Sequence, residues 1–326
     1  GVLRLPANSG TTTYPKDPDR EMIHSYNVTI ERELPWDLKG GVGYVGTYTA
    51  GQMAFVNINA SAPGTGNAGR PLNVLFGYQS DINEIKPYRP MYYNSLQATL
   101  NRRWASSLFG VAYTWSRTIN YADNDANPRI QYLPEAERNR GPAGYDRTHN
   151  LQVYGVMDLP FGRGQKWSTD NWVDYLIGGW QVNTIVSAMS GTPFSIVQGT
   201  SGLNAAGSGQ IPNQVKPTVE ILGGIGAGNP YFDRFAFAPA IGPVLGNVGR
   251  NSLRGPSFYN TDLGLFKTIP IWENVKIQLR GEFLNLFNHA NFGNPNGDIS
   301  SGNFGFITST IGIGERNMRF TARVSF

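Results

Sequence analysis

The sequence predicts an all-β protein, an antiparallel up-and-down transmembrane β-barrel, with about nine or ten strands in these 326 residues. Three observations carry that expectation. Apolar and polar residues alternate with a period of two in segment after segment, the pattern of strands whose two faces meet different surroundings. The connections alternate between short and long, as in membrane barrels with turns at one end and loops at the other. Finally, every short connection contains tryptophan, whose amphipathic ring favours the membrane–water interface. No apolar run reaches the roughly 18 residues of a membrane-spanning helix, a criterion that leaves barrel strands undetected.

The strands read as follows. Similar alternation, in some segments weaker, marks residues 25–33, 38–48, 92–103, 107–118 and 148–158. In the next segment Val182, Thr184, Val186 and Ala188 alternate with Gln181, Asn183, Ile185 and Ser187. Tyr259, Thr261, Leu263 and Leu265 then alternate with Asn260, Asp262, Gly264 and Phe266. Further on, Ile277, Leu279, Gly281 and Phe283 oppose Lys276, Gln278, Arg280 and Glu282. The last segment is the clearest: Met318, Phe320, Ala322, Val324 and Phe326 oppose Asn317, Arg319, Thr321, Arg323 and Ser325. Strands of about nine to twelve residues cross a bilayer at a tilt.

Short links at 34–37, 104–106, 159–178 and 269–275 alternate with long ones at 49–91, 119–147, 191–258 and 287–316. The short links hold Trp36, Trp104, Trp167 with Trp172, and Trp272, the expected interface girdle; Tyr48, Tyr92, Trp115, Tyr121 and Tyr259 sit toward the other end. Nine strands conflict with the even number found in bacterial single-chain barrels. Either residues 192–198 (TPFSIVQ) form a tenth, or earlier strands lie upstream of Gly1, with 1–24 the end of an extracellular loop and 25–326 the C-terminal strands and loops. Such a piece is not expected to close a stable barrel alone, because it would keep two unpaired edges.

Composition excludes several functions. Charged residues are 15%, against roughly 25% in ordinary soluble domains, and the net charge of +4 is dispersed. No basic stripe marks a nucleic-acid partner. Cysteine is absent, which removes disulfides and thiolate chemistry. His24, His149 and His289 are too far apart in sequence for a metal pair on one element. Asp123, Asp125 and Asn127 imitate the start of a calcium loop, but Pro128 stands in place of its turn glycine and Pro134 in place of its bidentate Glu, so a solvated loop is expected. FGRGQK (161–166) lacks phosphate-loop spacing. Glu135 and Glu137 read as loop surface. The chain is expected to be no enzyme and to bind no cofactor.

Several segments resemble the C-terminal barrel of Oar-like TonB-dependent outer-membrane receptors. They are YNSLQATLNRRW (93–104), VAYTWSRTIN (111–120), YDRTHNLQVYGVMDLPFGRGQKW (145–167), GGWQVNTIVSAMSGTPFSI (178–196), GNVGRNSLRGPSFYNTDLGLFKTIPI (246–271), IQLRGEFLNLFNHANFGNPN (277–296) and FGFITSTIG (304–312). The resemblance implies a bacterial outer-membrane location and a larger barrel, with a plug and a TonB-contacting segment N-terminal to these residues. It also implies import of a bulky solute driven by the TonB complex. A structural, adhesive or secretion-associated barrel is the alternative. The terminal Phe326, with Val324, Ala322, Phe320 and Met318 at every second position before it, is similar to the signal read by the outer-membrane barrel assembly machinery. The same side chains would face lipid.

The charges on the opposite side of the last strands, Asp262, Lys276, Arg280, Glu282, Arg319 and Arg323, are expected to face a lumen, where they stay hydrated or pair across strands. Arg140, Arg147, Arg250 and Arg254, near loop–strand junctions, are expected to favour anionic ligands. The loops, rich in Gly, Asn, Ser and Pro, point to no particular solute.

Overall fold

The computed structural model describes residues 9–17, 19–123, 128–199, 202–272, 275–312 and 314–326. Among them nine long strands form one sheet: β1 (Met22–Leu34), β2 (Leu38–Asn57), β3 (Ile82–Trp104), β4 (Ser107–Asn120), β5 (His149–Asp158), β6 (Trp180–Met189), β7 (Phe258–Pro270), β8 (Lys276–Leu284) and β9 (Asn317–Ser325). Each pairs antiparallel with the next in chain order, so the sheet is an uninterrupted meander. It is open, with β1 and β9 at its edges.

The register separates two solvents. Directly opposed residues share a face, and one row runs Ile30, Val42, Ala98, Tyr113, Leu151, Ala188, Tyr259 from β1 to β7. Its neighbour on the other face runs Glu31, Gly41, Thr99, Ala112, Gln152, Ser187, Asn260. The apolar face continues through Leu263, Phe283, Met318 and Ile269, Ile277, Val324. Much of it is bare: Val28, Ile30, Val42, Leu96, Leu279, Phe320 and Val324 are all exposed. Conversely, every buried hydrophobic among the described residues lies in the long loops or in the far end of β2. A sheet with its apolar side chains outside and its protein core elsewhere is built for a hydrocarbon surround.

Two expectations about the strands need correction. β2 and β3 have 20 and 23 residues rather than about twelve. Their far ends project beyond the rest of the sheet by about nine residues, roughly 30 Å at 3.3 Å per residue. The register shifts between Thr49 and Met53, where Gly51 takes φ 78° against Pro87. A bulge there bends the ribbon and accommodates a residue that has no N–H to give. Above it the ribbon buries Ala54 and Val56 against Ala122 and Tyr88, so alternation between two solvents ends there. Residues 192–198 form no tenth long strand: Pro193–Phe194 pairs with Leu253–Arg254 and Val197 bridges to Asp298, within the loops.

The long loops share a buried core. Phe194, Ile196, Phe232, Ala236, Phe237 and Val248 from the 190–257 connection pack with Phe304 from the 285–316 connection. Phe232 is central, with ring centroids 6.0, 5.8 and 5.3 Å from Phe194, Phe237 and Phe304. Backbone bonds join the loops: Tyr231 N to Gly305 O (2.8 Å), Ser61 N to Ala206 O (3.0 Å) and Gly209 N to Arg129 O (2.8 Å). The four long connections thus make one packed cap at one end of the sheet.

Candidate functional site: the polar face and the loop cap

On β7 to β9 the polar face carries four charged rows, one of them Arg280 opposite Thr321. Glu282 stands opposite Arg319, Gln278 opposite Arg323, and Lys276 opposite Ser325. Arg280 donates from Nε (2.8 Å) and Nη2 (2.6 Å) to Gln278 Oε1, and its guanidinium lies 5.2 Å from the Phe266 ring centre. Asp262 accepts from the Asn285 backbone N–H and from Asn260 Nδ2, both at 2.9 Å. All six charged residues singled out from alternation lie on this one face. Three of them, Asp262, Glu282 and Arg319, share the walls of a groove of about 530 Å³ with Tyr154, Asn183 and Phe266. Gly264 lies between Asn183 and Glu282 in the register and leaves the groove open, because a side chain there would press on Phe266.

The rest of the polar face is mostly uncharged. Thr99, Gln97, Thr114, Gln152, Asn183 and Ser187 supply hydroxyls and amides, and Ser187 Oγ donates to Gln152 Oε1 (2.6 Å). Tyr154 donates to Asn101 Oδ1 (2.9 Å), with its ring over Gly110. The close approach requires glycine there, since a methyl at 110 would overlap the ring. This surface offers paired hydrogen-bond donors and acceptors to water or to a polar solute.

At the cap, three of the four arginines expected to await anions, Arg147, Arg250 and Arg254, are committed internally, while Arg140 is exposed. Arg250 Nη2 lies 2.7 Å from Asp123 Oδ2. Burial raises the Asp123 pKa, but the Gly144 N–H, Arg250 and Asn120 together outweigh it, and the carboxyl stays below its usual range. Asp123 is therefore a half-buried strut rather than a solvated loop residue; Asp125 and Asn127 lie outside the described residues. Arg254 pairs with the buried Asp146, which also accepts from Thr118 N (2.6 Å), and Arg147 Nη1 donates to Ser190 O (2.6 Å). Glu135 pairs with Arg138 (2.6 Å), and Glu137 accepts from Tyr121, which is buried in the cap and not at an interface.

The tryptophans mark the opposite end. Trp36, Trp167, Trp172 and Trp272 are more than half exposed and Trp104 just over a third. Trp180, which lies just past the short link at 159–178, joins them at the foot of β6. At the other rim of the apolar face each histidine lies against a tyrosine: His24 on Tyr48 (6.0 Å), His149 on Tyr113 (6.2 Å) and His289 on Tyr259 (5.7 Å). Among the described residues no cluster of His, Cys, Asp and Glu could hold a metal ion. From Tyr92 to Trp104 on β3 is twelve residues, about 40 Å of strand and roughly 28 Å of height at a 45° tilt. That matches an apolar band about 25 Å tall between aromatic girdles. Met318, Phe320, Ala322 and Val324 lie on the apolar face of β9 and Phe326 ends the chain fully exposed.

A meander of tilt-length strands, apolar on one face, polar on the other and rimmed by aromatics, defines a bacterial outer-membrane β-barrel. The sequence profile of the outer membrane beta barrel domain family matches residues 2–319, and the chain belongs to that family. Two solved structures align with nearly the whole of this chain. The outer membrane transporter YddB from Escherichia coli aligns with a TM-score of 0.51 at 8% identity, over 99% of this chain and 34% of its own. The FrpB iron transporter from Neisseria meningitidis (F3-3 variant) aligns with a TM-score of 0.45 at 9% identity, over 97% of this chain and 32% of its own. The chain thus spans about a third of the length of these transporters. No curated protein matches it in sequence.

Proposed function

We propose that this chain is the C-terminal barrel portion of an Oar-like TonB-dependent receptor that binds and imports a bulky solute. The observation that carries the reading is the division of labour in the sheet. A continuous polar face, with a groove that Asp262, Glu282 and Arg319 line together with Val156, Ile185 and Phe266, runs beneath a cap whose internal packing holds it in shape. A purely structural barrel needs the apolar face and the girdles, but neither a groove nor a packed cap. The polar face then lines the lumen, with Lys276, Arg280 and Arg323 completing the charged wall toward the short-turn end. The solute meets the cap first, and a plug preceding these residues couples the barrel to the TonB complex. Phe326 and the apolar side chains of β9 serve the barrel assembly machinery as well as lipid. No covalent chemistry, cofactor or nucleic-acid partner enters this reading.

The test is binding of the full-length receptor, in detergent, to an immobilised periplasmic domain of TonB from the same organism. Saturable binding is expected. A full-length protein that does not bind TonB would overturn the transport reading in favour of a structural, adhesive or secretion-associated barrel.

A further inference from the structure

The 159–179 connection is far longer than the other three links at the tryptophan-bearing end, and it is folded rather than slack. Its first half is a tight loop closed by a parallel bridge between Phe161 and Trp167, whose rings lie 5.0 Å apart; Trp167 N donates to Pro160 O (3.0 Å) and Gly162 N to Trp167 O (2.9 Å). Its second half is a short helix, Val173–Ile177. Asp174, which is buried, ties the halves together by accepting from Ser168 Oγ (2.6 Å), Thr169 N (2.8 Å), Thr169 Oγ1 (2.7 Å) and Asp170 N (3.1 Å).

The side of the sheet on which it docks is set by Lys267 and Trp180. Both belong to the apolar face, opposite each other in the β6–β7 register and in line with Leu279 and Ala322. Lys267 Nζ donates to the carbonyls of Tyr175 (2.7 Å), Leu176 (3.0 Å) and Gly178, satisfying the helix C-terminus, and sits 5.4 Å above the Trp180 ring. Trp180 Nε1 donates to Leu176 O (2.9 Å). The element is therefore held against the lipid-facing side of the barrel and not against the lumen.

It turns outward a particular set of groups. Trp172, Leu176, Tyr175 and Trp167 are 71, 60, 53 and 52% exposed. Two cations flank them: Arg163 lies 5.6 Å from the Tyr175 ring centre and Lys166 5.7 Å from that of Trp167. Neither forms an ion pair among the described residues. Aromatic tips settle at headgroup depth, and neighbouring Arg and Lys reach lipid phosphates. The surface is continuous with the membrane-facing apolar face, and that continuity selects its occupant.

We propose that residues 159–179 are a lipid-docking element that lies in the periplasmic leaflet, seating Trp172, Tyr175 and Leu176 at the acyl boundary and bringing Arg163 and Lys166 to phospholipid phosphates. The inference rests on the outer-membrane fold and stands apart from the transport reading.

The experiment places the full-length protein in phosphatidylglycerol nanodiscs containing lipids brominated at graded depths. The contribution of Trp172 is taken as the difference between the wild type and Trp172→Phe. Bromines just below the headgroups are expected to quench it more strongly than those near the bilayer centre, with weak quenching by aqueous acrylamide. A Trp172 untouched by every brominated lipid and open to acrylamide would overturn the proposal, as for a surface awaiting a soluble periplasmic partner. Quenching of the remaining tryptophans shows in each sample that the barrel is inserted. The double variant Arg163→Gln, Lys166→Gln should lower Trp172 quenching at least twofold in phosphatidylglycerol and leave it unchanged in phosphatidylcholine. Equal quenching of variant and wild type in phosphatidylglycerol would overturn the role given to the two cations.

Discussion

Single residues in this molecule are decided by whether their partners are fixed. Asp146 is buried with its charge, and Arg254 and the Thr118 N–H are what compensate it. Removing the arginine strands a buried carboxylate, which costs about 3–5 kcal/mol. Arg254→Ala is thus expected to raise the rate of protease cleavage in the 190–257 connection at least tenfold, read on intact outer-membrane vesicles. Asp174 makes a pH prediction. The Ser168 hydroxyl, the Thr169 N–H and hydroxyl and the Asp170 N–H lower its pKa to about 2 despite its burial. A carboxylate depressed in the folded state contributes stability that is complete above its unfolded pKa of about 3.9 and lost as pH falls through the folded value. Pepsin should therefore leave the 159–179 turn intact near pH 4 and cut it at pH 2, while Asp174→Asn should show similar cleavage at both.

At the scale of elements, the strands were legible wherever two solvents impose the period. All nine segments with alternation are strands in one meander, and their short and long links fall where the tryptophans and the Gly- and Asn-rich stretches place them. Alternation also put Asp262, Glu282 and Arg319 on one face, since β geometry allows no other arrangement. The far ends of β2 and β3 were not legible. There both faces meet protein, and Gly51, Pro87 and Pro90 interrupt the pattern. The cap core was hidden for a different reason: Phe194, Phe232 and Phe304 are far apart in sequence and obey no local period. The groove depends on the absence of a side chain at Gly264 and had no signal of its own. For β9, the end of the strand bears a prediction. Phe326 is fully exposed among the described residues. Phe326→Ala should leave the folded barrel as stable as the wild type but reduce its amount in the outer membrane several-fold, measured by surface labelling against total protein.

The whole molecule has two stabilising environments, one for the cap and another for the barrel. The cap is a water-soluble kind of structure, with buried phenylalanines and committed ion pairs. The barrel wall is held by its ladder of backbone bonds and by lipid around its apolar face, where unpaired backbone groups are too costly to tolerate. The two should therefore fail separately. Phe232→Ala removes the centre of the cap core at a cost of about 3–5 kcal/mol. It should expose the loops to external protease while the full-length barrel keeps its heat-modifiable electrophoretic mobility; loss of both together would mean that cap and wall are one cooperative unit.

The central claim is that one face of the sheet meets water in a lumen and the other meets lipid, and because these 326 residues hold no cysteine it can be tested position by position once any cysteine outside them is replaced by serine. Single cysteines are placed in the full-length protein at Gln278, Leu279, Arg280, Phe320, Thr321 and Ala322 and exposed in native outer membranes to a small, charged, membrane-impermeant maleimide. The account predicts that positions 278, 280 and 321 react while 279, 320 and 322 stay unlabelled. Equal labelling at neighbouring positions, or the inverse alternation, would contradict it.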